Sequence, residues 1–343
     1  LQVLPYLGYG SEKIFRIKGR VIQNKSISGA LPGDNIWKNL SNMYKRFESD
    51  EAKGLKLKLT YSKQQFFTLT DEEGYFEVDF IPSEIITSSK WQEVEIEIES
   101  APFSYTKGIK YILKILYPSY KTEFRVISDV DDTIVKTNTT SFLKMFTTTF
   151  LNNARSRTPF PGVSSLYSDL EKGIKSNFNL IFYVSSSPWN LYNLLLEFLI
   201  THNIPLVPLL LKDYGINEST FLSASHHAHK YFQIERILQT YPEMKFILID
   251  DADQEDASIY SQIIKDFPER ILAAYTRDLN IPKHRMKVLE ITGKMKGDSV
   301  PMILVQDSLQ AGKHALEKGF ISLENLHLIE KEMNNRENIQ LNL

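Results

Sequence analysis

The chain of 343 residues contains no cysteine. That absence excludes disulfides, cysteine-ligated zinc and thiol nucleophiles, while leaving the compartment open. No apolar run is long enough to cross a bilayer, so the chain is expected to be soluble or at most peripheral to a membrane. The formal net charge is only −2, whereas a dedicated nucleic-acid binder would carry a strong basic excess. Internal repeats and low-complexity segments are also missing. The first residue is Leu1 rather than Met, which leaves open a removed leader or a trimmed chain.

What is present suffices for a substantial core: 42% of the residues are hydrophobic, in a length that suggests roughly two domains. From residue 14 to about residue 116 the pattern is mostly strand-like. Phe15, Ile17, Gly19 and Val21 alternate with charged residues, as do Leu55, Leu57 and Leu59, and Val94, Ile96 and Ile98. Thr70-Asp71-Glu72-Glu73-Gly74-Tyr75-Phe76 reads as a tight turn between two strands, with Gly74 supplying a positive φ. Its acids supply too few ligands for a calcium loop. One helix interrupts the strands: Ile36, Trp37, Leu40, Met43, Tyr44 and Phe47 recur at helical spacing after Asp34 or Asn35. Core packing is the expected use of that stripe, with a membrane surface as its rival.

After about residue 122 the rhythm changes. Continuous apolar strands at 124–127, 180–184, 246–249 and 271–275 alternate with helical patterns at 162–172, 189–202, 231–240 and 259–267. That alternation predicts a parallel α/β sheet covered on both faces. Ligands bind such sheets at the carboxyl ends of the strands. Helical stretches at 308–318 and 323–333 follow, then a polar tail over 334–343 that is expected to fray.

The chemistry-bearing residues fall at those carboxyl ends. The first strand runs into Asp129-Val130-Asp131-Asp132-Thr133. In an extended segment Asp129 and Asp131 face one side, and converging carboxylates imply a hard cation such as Mg²⁺. Alone, the pentapeptide is equally an acidic turn or the start of a helix. The second strand delivers Ser185 ahead of a helix, an anion-binding corner. Lys230 opens the next helical pattern and has the charge to neutralise a phosphoryl group. The third strand ends in Asp250-Asp251-Ala252-Asp253-Gln254-Glu255-Asp256. His226, His227 and His229 lack the glutamate of a known zinc pattern, so a solvated or phosphate-side loop is expected there.

Taken together, Asp129-x-Asp131-x-Thr133, Ser185, Lys230, and Asp251 with Asp256 resemble the four motifs of the haloacid dehalogenase superfamily. The closer resemblance is to the branch containing the actin-patch type of Mg²⁺-dependent phosphatidate phosphatase and its bacterial relatives. Pro159-Phe160-Pro161-Gly162, Tyr183-Val184-Ser185-Ser186-Ser187-Pro188-Trp189, His229-Lys230 and Pro301-Met302-Ile303-Leu304-Val305-Gln306-Asp307-Ser308 carry it, over roughly residues 122 to 320. Arg46-Phe47-Glu48-Ser49-Asp50-Glu51 resembles the β-rich region that precedes the catalytic domain in bacterial members. One departure stands out. Relatives carry Gly-Asp-Ser-Gly-Gln-His-Asp where this chain has aspartate at 250 and 253 and glutamate at 255, adding negative charge that alters metal affinity or repels an anionic substrate.

The resemblance implies a Rossmann-like parallel sheet of the haloacid dehalogenase type without a large cap, over residues 122–343, preceded by a β-rich domain over residues 1–121. It implies Asp129 as nucleophile and Asp131 as general acid and base. Mg²⁺ would be held by Asp129, Asp131 through its carbonyl, and Asp251. Thr133 would brace the loop, Ser185 and Lys230 would grip phosphoryl oxygens, and Asp256 would support the metal or Lys230. The gaps between motifs are too short for an inserted cap domain, so the site stays open to bulky substrates. A lipid phosphate is the leading one, with phosphoproteins or soluble phosphates as the alternative. A helical stripe over 142–151, followed by Arg155 and Arg157, is either core or a peripheral membrane contact. The expectation is a cytoplasmic lipid phosphatase, with a catalytically silent binding module as its rival from another class. The oligomeric state is not legible.

Overall fold

Alternating segments pair into an eight-stranded sheet, and continuous apolar segments pair into a six-stranded parallel one. The computed structural model describes residues 1–23, 52–86, 89–117, 122–130, 162–175, 178–212, 226–250, 254–278, 282–294 and 302–340. The helices expected over 36–47 and 142–151 lie outside them, as do Asp131, Thr133 and Asp251. The chain divides into two compact units, one centred on Leu1–Ser119 and the other containing Tyr120–Trp189, Leu195–Lys212 and Ser223–Leu343.

The first unit is mostly β. Its strands are β1 (Gln2–Pro5), β2 (Gly8–Ser11), β3 (Ile14–Ile22), β4 (Lys56–Tyr61), β5 (Gln64–Leu69), β6 (Tyr75–Phe80), β7 (Trp91–Ser100) and β8 (Lys110–Leu116). Period-two alternation is what makes them strands: Leu57, Leu59, Val94 and Ile96 are fully buried, and the intervening lysines and glutamates face outward. There they pair across strands, Lys110 with Glu95 at 2.9 Å and Lys56 with Glu99 at 2.7 Å. The turn at Asp71 forms as expected, with Gly74 at φ 83°. The strands it joins take different partners, however: β5 pairs with β4, and β6 with β3. Two strands also precede Ile14, short and rich in glycine and proline, which the alternation did not reveal.

In the second unit the sheet order is β11-β10-β9-β12-β13-β14 and every pairing is parallel. The strands are β9 (Arg125–Asp129), β10 (Ile181–Pro188), β11 (Leu209–Lys212), β12 (Phe246–Asp250), β13 (Ile271–Arg277) and β14 (Met302–Val305). Every residue of β9 and β12 is buried, the signature of a sheet covered on both faces. The helices are α1 (Val163–Lys172), α2 (Tyr192–Thr201), α3 (His226–Thr240), α4 (Gln254–Asp266), α5 (Pro282–Lys294), α6 (Ser308–Glu317) and α7 (Leu323–Gln340). From β9 the order steps one way to β10 and β11, then resumes on the other side with β12. The boundary between β9 and β12 is therefore a topological switch point, where open α/β sheets bind ligands.

Two expectations are corrected. His226–His229 form the first turn of α3 rather than a loop, and the tail expected to fray from residue 334 continues α7 to Gln340. Neither segment has an apolar stripe to announce it; both are built of residues a helix tolerates. Among the described residues no helix is long and apolar enough to cross a membrane.

Candidate active site

Parallel register decides which strand ends meet. Asp129 pairs with Val184, one residue before Ser185, and Ile249 pairs with Ser128. The ends of β9, β10 and β12 are thereby neighbours, with Asp129, Ser185 and Asp250 all buried. Tyr167 of α1 shares a 2.7 Å hydrogen bond with the Ser128 hydroxyl, which donates to the Asp129 carbonyl at 3.1 Å. At the end of β10, the Ser187 amide donates to Ser185 Oγ at 3.0 Å.

Helix α3 adds the cation. Just after its first turn comes Lys230, 2% exposed, whose Nζ lies 2.8 Å from Asp129 Oδ1 and 2.8 Å from Asp256 Oδ1. Asp256 is itself buried in the first turn of α4. Asp129, Asp250 and Asp256 each offer a carboxylate oxygen, and these oxygens lie within 4.8 Å of one another. Three buried carboxylates thus meet among the described residues, two of them paired with Lys230. Nearby, the Tyr260 hydroxyl donates to the Ile249 carbonyl at 2.7 Å. Burial first, then the charges of Asp250, Asp129 and Asp256, push that phenol well above its ordinary range, so it stays a donor.

The donor set fits a hard divalent cation. Oxygen ligands around one Mg²⁺ stand roughly 3–4 Å apart, and carboxylates are among its usual ligands. Of the sequence-derived site residues, Asp129, Lys230 and Asp256 come together and Ser185 lies one residue beyond the Asp129 pairing. Asp131, Thr133 and Asp251 are outside the described residues. Asp250 was expected only to perturb a glycine position, yet it belongs to the acid cluster. Its signal was its place as the last residue of a buried strand.

Two supporting motifs prove to meet in space. Gly162, at φ 81°, has no room for a side chain: a Cβ would lie 3.0 Å from Ser308 Cβ, 3.0 Å from Ile329 Cγ2 and 3.1 Å from Met333 Cγ. Asp307 caps α6 by accepting the Gln310 amide at 2.8 Å. These residues hold α1, α6 and α7 together.

A parallel α/β sheet with buried carboxylates and a lysine at its switch point offers the groups that a cation-assisted phosphoryl site uses. Residues 124–278 match the family model described as "Phosphatidate phosphatase APP1, catalytic domain". The expected resemblance to the actin-patch type of phosphatidate phosphatase catalytic domain therefore holds. The chain is 29% identical over 286 residues to "Phosphatidate phosphatase APP1" of Saccharomyces cerevisiae, covering 80% of this chain and 46% of that protein. It is 28% identical over 220 residues to an uncharacterised protein of Schizosaccharomyces pombe, covering 63% of this chain and 35% of that one. The chain thus spans less than half the length of either relative. Among solved structures, a carbohydrate acetylesterase from Xanthomonas citri matches at 8% identity and TM-score 0.31, over 88% of this chain and 68% of that one. At that score no shared fold follows.

Proposed function

We propose that residues 122–343 form a Mg²⁺-dependent phosphomonoester hydrolase of the haloacid dehalogenase type, acting on phosphatidate or a related lipid phosphate. The observation that carries the reading is Lys230 joined at 2.8 Å to both Asp129 and Asp256, within an acid cluster at the sheet's switch point. The matched family supports the lipid substrate.

In this mechanism an Asp129 carboxylate oxygen attacks phosphorus, and the bond to the ester oxygen breaks. Asp131 gives a proton to that leaving oxygen. It then takes one from water, which attacks the aspartyl phosphate, releases phosphate and restores Asp129. Lys230 keeps Asp129 ionised and offsets charge on the phosphoryl oxygens, while the Ser185 hydroxyl donates to one of them. Thr133 would brace the segment that follows Asp129. Asp129, Asp250, Asp251 and the Asp131 carbonyl are the groups to hold Mg²⁺, with Asp256 supporting Lys230. The ion, when bound, would supply positive charge to offset that of a phosphoryl group. We place this activity in the cytoplasm, at the surface of a membrane, with the β-rich residues 1–121 as a separate domain.

The decisive experiment measures phosphate release from phosphatidate micelles and soluble esters, with Mg²⁺ or EDTA, for wild type and Asp129→Asn. Metal-dependent release from phosphatidate that Asp129→Asn abolishes is expected. Release from soluble esters alone would replace the lipid with small phosphates, and no metal-dependent release on any substrate would favour a silent binding module.

A further inference from the structure

The acid cluster lies at the carboxyl end of β9; its amino end carries an opposite imbalance. Arg125, the first residue of that strand, is 3% exposed. Among the described residues its Nε and Nη1 are buried without a hydrogen-bond partner. The contact it makes is with an aromatic face: its guanidinium lies 4.1 Å from the Tyr241 ring centroid. A cation–π contact recovers only part of the cost of taking a guanidinium out of water. A second cation adds to the field. Burial and then the repulsive charge of Arg270 act against the Tyr241 contribution, and Arg125 is lowered to about 10.

Arg270 is spoken for in a way Arg125 is not. Its Nε donates to the Met244 carbonyl at 2.8 Å, and its Nη2 to the carbonyls of Tyr241 at 2.7 Å and Leu238 at 3.3 Å. That locks the turn after α3, and with it the ring over Arg125. The backbone of the same turn is tied to β9, because the Arg125 amide donates to the Lys245 carbonyl at 3.0 Å. Two guanidinium charges are therefore held in fixed positions, one of them with buried N–H groups left to donate. Buried donors and charges in native proteins find partners, and an acceptor carrying negative charge would serve both needs.

We propose that Arg125, walled by Tyr241 and reinforced by the charge of Arg270, is an anion-binding site for a small, doubly charged oxyanion of the phosphate or sulfate type. Burial limits the occupant to a few atoms, which favours the free ion over a lipid headgroup, and two cations favour a dianion over a monoanion. The site is separate from the acid cluster: Arg125 and Asp129 are at opposite ends of one strand, about 13 Å apart at the usual rise per residue. Entry requires the turn over 241–245 to open locally, so binding is slow relative to an exposed patch.

The test is thermal unfolding of the full chain in EDTA, for wild type and Arg125→Met, with phosphate, sulfate, acetate or chloride at matched ionic strength. At about 20 mM phosphate or sulfate, a site of millimolar affinity raises the wild-type midpoint by about 2–4 °C. Acetate and chloride are expected to give less. Arg125→Met should lose the response and, without added anion, melt no lower than wild type, since an apolar chain replaces an uncompensated charge. Equal phosphate responses in both proteins, or none in either, would overturn the site, and so would an equal acetate response. If Arg125→Met does not fold, Arg125→Lys serves instead, and an undiminished phosphate shift there refutes the proposal. The readout is unfolding rather than turnover, so it stands or falls independently of the phosphatase reading.

Discussion

The Lys230 ammonium lies 2.8 Å from an Asp129 carboxylate oxygen, although the two residues are a hundred positions apart and on different elements. Both are almost fully buried. The pair joins helix α3 to the end of the central strand, and the second contact, to Asp256, joins α3 to α4. Losing the lysine leaves buried carboxylates facing each other.

Lys230→Met should therefore fail twice. Removing one partner of a buried ionic network costs about 3–5 kcal/mol of stability, measurable by urea unfolding. Phosphatase turnover should fall by at least ~100-fold. A variant that unfolds like wild type would show that the network is not what fixes α3.

Asp250 separates metal binding from chemistry. Asp250→Asn relieves repulsion among the acids, so in EDTA it should melt at or above wild type. With Mg²⁺ its stabilisation should be smaller, with affinity down roughly tenfold or more. Mg²⁺ titrations followed by thermal shift check this, and identical titrations would remove Asp250 from the ligand set.

Asp169 sets a pH dependence away from the site. Burial pushes its carboxyl up to about 6, against the hydrogen bond from Asn325 and the charge of Lys172, with Glu332 adding to the rise. Asn325 Nδ2 donates to it at 2.7 Å, linking α1 to α7. A folded-state value above the unfolded one means that this group favours folding below about pH 4 and loses that contribution as pH rises through 6. Asp169→Asn should thus be more stable than wild type at pH 8, with the difference shrinking towards pH 4. Denaturant midpoints across that range decide it; a constant difference would mean Asp169 does not titrate there.

Gly162→Ala tests the junction of α1, α6 and α7. A Cβ there meets three side chains at 3.0–3.1 Å on a backbone at φ 81°. Strain and overpacking together should cost about 1–3 kcal/mol. Calorimetry of the variant reads it directly, and a shift below experimental error would show that α7 yields.

Much of the architecture was legible because its signals are local. The alternation of Leu57 and Leu59 with lysines fixes a half-exposed strand, and the apolar residues Phe124, Val126 and Ile127 ahead of Asp129 fix a buried parallel one. The strand ends likewise marked Asp129 and Ser185. The helical pattern that Lys230 opens misses the start of α3, because His226 to His229 offers no apolar stripe. That start is instead anchored by the Lys230 ion pairs, contacts between residues far apart in sequence. Asp250 was read through the family's glycine, whereas its neighbours in space are Asp129 and Asp256.

The sequence by itself determined that this protein has a β-rich part, a parallel α/β part, and acids and a serine at the ends of buried strands, since side-chain periodicity acts over a few residues. Strand order and long-range contacts add that β9 lies between β10 and β12, that Lys230 bridges Asp129 and Asp256, and that Arg125 is buried on Tyr241 with Nε and Nη1 unpaired among the described residues. Those outcomes depend on strand order and on electrostatics between distant residues, and a charge acquires its consequence only when folding removes the water around it.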